Sequence, residues 1–212
     1  MQTYKIRGLY AITPDETDTD VLLAKVEAAL QGGINVLQYR NKQASYQLQT
    51  QQASAILPLC KQYQVPFLIN DSIELCLTLN ADGVHVGADD GNIAEVRTKL
   101  GANKILGASC YNRFDLALSA QQAGASYVAF GACFASSTKP NAPMASLDLF
   151  KQAKAQLHIP AVAIGGITLS NALLVIEAGA SAIAVINAIF SAGDVKAVAK
   201  QFDKLFAEQD IN

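Results

Sequence analysis

Along the chain, short apolar runs alternate with longer amphipathic segments, and the alternation is regular enough to predict a fold. Predominantly apolar runs at residues 6–12, 35–39, 67–71, 83–87, 105–109, 127–131, 161–164 and 182–186 read as strands. Residues 127–131 lack polar alternation altogether, the pattern of a strand buried on both faces. Residues 21–31, 45–63, 72–79, 93–100, 114–122, 147–157, 169–177 and 195–208 read as helices. The first helix carries an apolar stripe of Leu22, Val26, Ala29 and Leu30, with Asp20 as its expected cap and Gly32-Gly33 as its stop. The second is expected to be interrupted near Pro58.

A weak internal repeat supports this parsing. Gly33-Ile-Asn-Val36, Ala81-Asp-Gly-Val84, Gly124-Ala-Ser-Tyr-Val128 and Gly179-Ala-Ser-Ala-Ile183 each lead from a helix through small residues into a strand. About eight β-then-α units in unbroken series, with no Gly-x-Gly-x-x-Gly after the first strand, predict a single-domain (β/α)8 TIM barrel over residues 1–212. An open parallel sheet is the competing arrangement.

Composition narrows the function. Of 212 residues, 51% are hydrophobic and 16% charged, which suits one well-buried domain. A net charge of -2 leaves no basic stripe for nucleic acid, so any phosphate has to be met locally. Cys60, Cys76, Cys110 and Cys133 form no C-x-x-C pair, which argues against zinc and for reduced thiols. With no apolar leader or membrane-length run, the chain is expected to be cytoplasmic and to act on small molecules, without nucleic acid or membrane; a homodimer is compatible with this.

In a barrel of this kind the chemistry belongs at the C-terminal ends of the strands, and those ends are polar here. Gln38, Arg40 and Lys42 alternate along an extended segment, so their side chains share one direction and suit a diphosphate. Asp71 and Asp90, one βα unit apart, are candidate Mg2+ ligands; the alternative is a helix cap for Asp71 and a turn for Asp90. Ser136, Ser137, Thr138 and Lys139, held from helix by Pro140 and Pro143, form a candidate anion loop. Gly165-Gly166 and the exit at Ile186-Asn187 offer a second phosphate site. His85 and His158 are read as structural, and no base stands near Cys110 or Cys133 to make a nucleophile.

These residues resemble the thiamine phosphate synthase family. The resemblance runs through Gly8-Leu-Tyr-Ala-Ile-Thr-Pro-Asp15, Gln38-Tyr-Arg-Asn-Lys42, Leu68-Ile-Asn-Asp71, Asp82-Gly-Val-His-Val-Gly87, Gly107-Ala-Ser109, Ser136-Ser-Thr-Lys139 and Ala163-Ile-Gly-Gly-Ile167. It implies a barrel enzyme that joins a hydroxymethylpyrimidine diphosphate to a thiazole phosphate and releases pyrophosphate. By the same resemblance, Gln38, Tyr39, Arg40, Asn41, Lys42, Asn70 and Ser109 hold the pyrimidine substrate and its diphosphate, and Asp71 and Asp90 hold Mg2+. Ser136, Ser137 and Thr138 meet the thiazole phosphate with Gly166, Ile186 and Asn187, and Lys139 meets the diphosphate. Arg40, Lys42, Ser109 and Lys139 are then the catalytic set, acting by electrostatics and positioning rather than as nucleophiles. Two positions depart from the family pattern: Gly131-Ala-Cys-Phe134 stands for Gly-Pro-x-Phe, and Ile186-Asn187 for Val-Ser. The rivals are a thiazole tautomerase, a phosphate-binding paralogue without turnover, and a sugar-phosphate isomerase or epimerase, for which no acid/base pair is found.

Overall fold

In the computed structural model, which describes residues 6–87, 91–135 and 144–207, eight parallel strands close into a barrel in chain order. The strands are β1 (Gly8–Ile12), β2 (Val36–Tyr39), β3 (Phe67–Asn70), β4 (Gly83–Val86), β5 (Ile105–Tyr111), β6 (Tyr127–Phe130), β7 (Ala161–Ile164) and β8 (Ala182–Val185). The helices are α1 (Thr19–Gln31), α2 (Tyr46–Tyr63), α3 (Ile73–Thr78), α4 (Ile93–Leu100), α5 (Phe114–Gln122), α6 (Asp148–Gln156), α7 (Ala172–Glu177), α8 (Asn187–Phe190) and α9 (Val195–Ala207). Pairing of β1 with β8, in register from Gly8 opposite Ala182 to Ala11 opposite Val185, closes the sheet and excludes the open alternative.

Closure divides the strand residues between two cores. Leu9, Leu37, Phe67, Val84, Leu106, Val128 and Ile183 point outward and pack under the helices with Leu22, Val26, Ile56, Phe150 and Phe202. Tyr10, Ile12, Val36, Leu68, Tyr127, Val162 and Ala184 point inward and fill the barrel. Both faces of every strand are therefore dry, which is why the strands read as continuous apolar runs. The last helix, α9, buries Val195, Ala199, Phe202 and Phe206 and packs on α1 and β1 beside the closing seam.

Three local features differ from expectation. Asp18, not Asp20, caps α1: its backbone is extended and its carboxylate accepts the N–H groups of Asp20 and Val21. Helix α2 continues through Pro58 instead of breaking. Pro58 and Ser54 both lie on the exposed side of α2, so the carbonyl that loses its N–H partner faces water and the interruption costs little. The short α8 directly after β8 has no counterpart in the sequence pattern, because four residues are too few to show a period. Among the described residues, no helix is long and apolar enough to cross a membrane.

At the N-terminal end of the barrel one side chain joins several segments. Arg97 on α4 donates to the carbonyls of Gly124 (2.9 Å), Gly101 (2.7 Å) and Lys104 (2.8 Å) and to Ser126 Oγ (3.1 Å). Ser126 Oγ in turn accepts the N–H of Leu106 in β5. This end is remote from the strand exits and serves stability. Arg97→Met should therefore lower the unfolding free energy by about 2–4 kcal/mol in urea titration, with the folded structure retained.

Candidate active site

The strand exits are built by hydrogen bonds that extend the β1–β2 pairing beyond the sheet. Thr13, fully buried, donates from Oγ1 to the Arg40 carbonyl and accepts the Arg40 N–H, both at 2.8 Å. Two residues on, Asp15 Oδ1 accepts the Lys42 backbone N–H at 2.7 Å and Arg40 Nη1 at 3.1 Å. Asp15 thus fixes the Arg40 side chain and the Lys42 backbone with one oxygen. Neither contact was legible in the sequence, since 25 residues separate Asp15 from Arg40.

From Gln38 to Lys42 the side chains alternate between two environments. Gln38 is 2% exposed and points into the barrel, where its Nε2 donates to Tyr10 Oη at 2.7 Å. Arg40 and Lys42 follow at the mouth, while Tyr39 and Asn41 turn toward α2. Tyr39 Oη donates to Gln52 Oε1 at 2.8 Å, and Asn41 Nδ2 donates to the same oxygen at 3.1 Å and to the Glu16 carbonyl at 2.7 Å. Gln52, itself fully buried, donates to the Glu16 carbonyl from Nε2. Burial, with the Asp15 charge adding to it, holds the Tyr39 phenol well above its ordinary pKa, so it stays neutral. The structure therefore gathers Gln38, Arg40 and Lys42 on the mouth side and ties the side chains of Tyr39 and Asn41 to the helix layer.

Lys42 Nζ reaches Asp71 Oδ2 at 3.1 Å, bridging the exits of β2 and β3. Asp71 has φ +61° and its N–H donates to the His85 carbonyl, which turns the chain out of β3 toward the mouth. The cap of α3 is Ser72, whose Oγ accepts the Leu75 N–H at 3.1 Å, so Asp71 is not the helix cap. Both ends of the ion pair are open to solvent, the lysine side chain 52% and the aspartate 30%. A pair this exposed adds at most about 1 kcal/mol to stability, so it can exchange for a ligand at small cost.

Inside the barrel a hydrogen-bonded chain crosses from β2 to β5. Beyond the Gln38–Tyr10 bond, Tyr10 Oη lies 2.7 Å from Tyr127 Oη, Tyr127 Oη 2.8 Å from His85 Nδ1, and His85 Nε2 2.9 Å from Ser109 Oγ. His85, expected to be structural, is thus bonded on one side to a barrel-filling tyrosine and on the other to an expected substrate-binding serine. Gly107 makes room for this chain, because a Cβ there would lie 2.2 Å from Tyr127 Cζ and 2.5 Å from His85 Nδ1.

At the β7 exit, Gly165 and Gly166 have φ of +96° and +65°. A Cβ on Gly166 would fall 2.4 Å from the Ala135 carbonyl oxygen, so the segment after β6 lies directly over this turn. Ile186 is partly buried above the barrel interior, and Asn187 is exposed at the start of α8. Asn70 is partly exposed at the end of β3. Asp90, Ser136, Ser137, Thr138 and Lys139 lie outside the described residues.

A closed (β/α)8 barrel with ionic side chains gathered at its strand exits belongs to the class of barrel proteins that carry their chemistry at that end. Residues 9–189 match the thiamine monophosphate synthase family. The chain is 57% identical to the thiamine-phosphate synthase of Methylobacillus flagellatus, covering 95% of this chain and 96% of that one. It is 49% identical to the thiamine-phosphate synthase of Nitrosospira multiformis, covering 98% and 89%. The solved thiamine phosphate pyrophosphorylase of Pyrococcus furiosus superposes with a TM-score of 0.85 at 32% identity, covering 95% and 96%. The chain therefore belongs to the thiamine monophosphate synthase family.

The cysteines stand apart from this site chemically. All four are buried, and burial raises the thiol of Cys133 to about 11, that of Cys76 to about 11 and that of Cys110 to about 12, with Cys60 raised further. At pH 8 a disulfide-exchange thiol reagent should label none of them within minutes in the native protein and all four after denaturation. Rapid labelling of one native thiol would contradict a set of four buried, protonated thiols.

Proposed function

We propose that this chain catalyses the thiamine phosphate synthase reaction, joining a hydroxymethylpyrimidine diphosphate to a thiazole phosphate with release of pyrophosphate. Family membership supports the reaction, and the observation that carries the local assignment is the Lys42–Asp71 pair at the joined exits of β2 and β3. A hard carboxylate oxygen and a cation already sit 3.1 Å apart at an open mouth. Asp71 fits a Mg2+ site, since it offers an oxygen ligand, is partly exposed and does not cap α3. With Asp90 it would hold the ion, which when bound would neutralise charge on the diphosphate.

The chain's own groups then do the following. Arg40, steadied by Asp15, and Lys42, released from Asp71, bind diphosphate oxygens and stabilise the charge that grows as pyrophosphate leaves. Lys139 adds a third cation. Gln38, Asn70 and Ser109 orient the pyrimidine, while Tyr39 and Asn41 hold the clamp segment on α2 and act through its backbone. Ser136, Ser137, Thr138, Gly166, Ile186 and Asn187 hold the thiazole phosphate. Bond formation takes place between the two substrates, so the protein supplies placement and electrostatics and no covalent intermediate. Every group named comes from one chain, and we assign the reaction to the cytoplasm.

Purified protein should form thiamine phosphate from the two substrates with Mg2+ and not with excess chelator. Asp71→Ala should lose most of that activity while keeping its fold; a folded, inactive wild type would overturn the proposal. Arg40→Ala and Lys42→Ala should each lower kcat/KM by about a hundredfold to a thousandfold, the range for removing one preorganised donor from a developing charge. Asn187→Ala should raise the KM for the thiazole phosphate several-fold, corresponding to about 1 kcal/mol, with kcat unchanged; an unchanged KM would remove Asn187 from the pocket.

A further inference from the structure

The interior chain Gln38–Tyr10–Tyr127–His85–Ser109 links two residues of the proposed pyrimidine pocket through three that the reaction does not otherwise use. Its members leave little freedom for their protons. Tyr10 and Tyr127 are 1% and 0% exposed, and burial raises both phenols far above their ordinary pKa, so each carries its proton. Tyr10 Oη accepts a hydrogen bond from Gln38 Nε2, so its own hydrogen goes to Tyr127 Oη at 2.7 Å. Tyr127 then donates to His85 Nδ1 at 2.8 Å, which leaves the ring proton on Nε2, aimed at Ser109 Oγ at 2.9 Å. With Gln38 Nε2 facing Tyr10, the opposite order would set the Tyr10 hydroxyl hydrogen against an amide N–H, donor against donor, among side chains that are at most 2% exposed.

We propose that Tyr10, Tyr127 and His85 form a one-way buried chain that holds His85 as the Nε2–H tautomer and makes the Ser109 hydroxyl a fixed hydrogen-bond donor into the barrel mouth. Ser109 accepts from His85, so its own hydrogen is the one left to give, and the partly exposed end of β5 presents it to substrate. The group it recognises is a hydrogen-bond acceptor on the bound pyrimidine diphosphate. The three interior residues are positioning residues, acting on substrate only through Ser109. Gly107 belongs to the same device, since any side chain there would displace Tyr127 or His85.

The kinetic arm of the test rests on the proposed synthase reaction, and the spectroscopic arm does not. The chain has only two histidines, and His158 is exposed, so a His158→Gln variant assigns the ring signals in a long-range 1H–15N spectrum of labelled protein. Wild type should show His85 with Nδ1 unprotonated and Nε2 protonated. An Nδ1–H ring, or an averaged mixture of both, would overturn the chain. Tyr127→Phe should produce the tautomer mixture, lower kcat/KM for the pyrimidine diphosphate about tenfold and leave the KM for the thiazole phosphate unchanged. Ser109→Ala should keep the Nε2–H tautomer, because its donor at Nδ1 is intact, yet lose at least as much activity. Wild-type kcat/KM in a Tyr127→Phe protein whose tautomer is lost would refute the positioning role. An inactive wild type with an Nε2–H ring would sink the synthase proposal and leave the chain standing. The wild-type spectrum needs no variant, so it decides the direction of the chain even if Tyr127→Phe does not fold.

Discussion

Pairing of β1 with β8 is the constraint that shapes every other part of the molecule. An open sheet would leave the side chains of one face to be covered by helices; a closed one encloses them and demands that they fill a fixed volume. Here that volume takes Tyr10 and Tyr127 from strands separated by 117 residues, whose rings meet edge to face at 5.9 Å. Large rings fill space, but their hydroxyls then need partners inside. Gln38, His85 and Ser109 supply them, and no described buried side-chain polar atom lacks a partner. Closure thereby converts a packing requirement into a polar connection between strands on different sides of the mouth.

The two ends of the barrel divide stability and function on the same logic. At the N-terminal end Arg97 directs its donors to backbone carbonyls and Ser126, contacts fixed by the fold itself. At the C-terminal end each cation is held by a carboxylate, Arg40 by Asp15 in a partly buried pair and Lys42 by Asp71 in a pair open to water. The open pair contributes little to folding. Both pairs keep opposite charges close in a chain whose net charge is only -2, and the open one can change partners at small cost.

Much of this could be read from the sequence, and what could not has physical causes. All eight strands and the helices α1–α7 and α9 were legible from hydrophobic pattern and glycine punctuation, with ends shifted by a few residues. Alternation from Gln38 to Lys42 separated Gln38, Arg40 and Lys42 from Tyr39 and Asn41, yet could not show that the latter two are bound to Gln52. Which face of β1 points inward was hidden, because Leu9 and Tyr10 are both buried and both read as apolar. The roles of Asp15 and of Tyr127 depend on contacts across 25 and 42 or more residues, which no local pattern carries. The cap of α1 was misplaced by two residues because Asp18 and Asp20 are chemically the same signal, and only backbone geometry separates them.

If the joined exits of β2 and β3 form one site for a metal ion and a diphosphate, the two ligands must bind cooperatively. Calorimetric titration of Mg2+ with and without pyrophosphate, corrected for the complex the two form in buffer, measures that coupling. Pyrophosphate should strengthen Mg2+ binding, Mg2+ should strengthen pyrophosphate binding by the same factor, and Asp71→Asn should abolish the coupling. Mg2+ and pyrophosphate binding independently of one another, or with a coupling that Asp71→Asn leaves intact, would contradict a shared site.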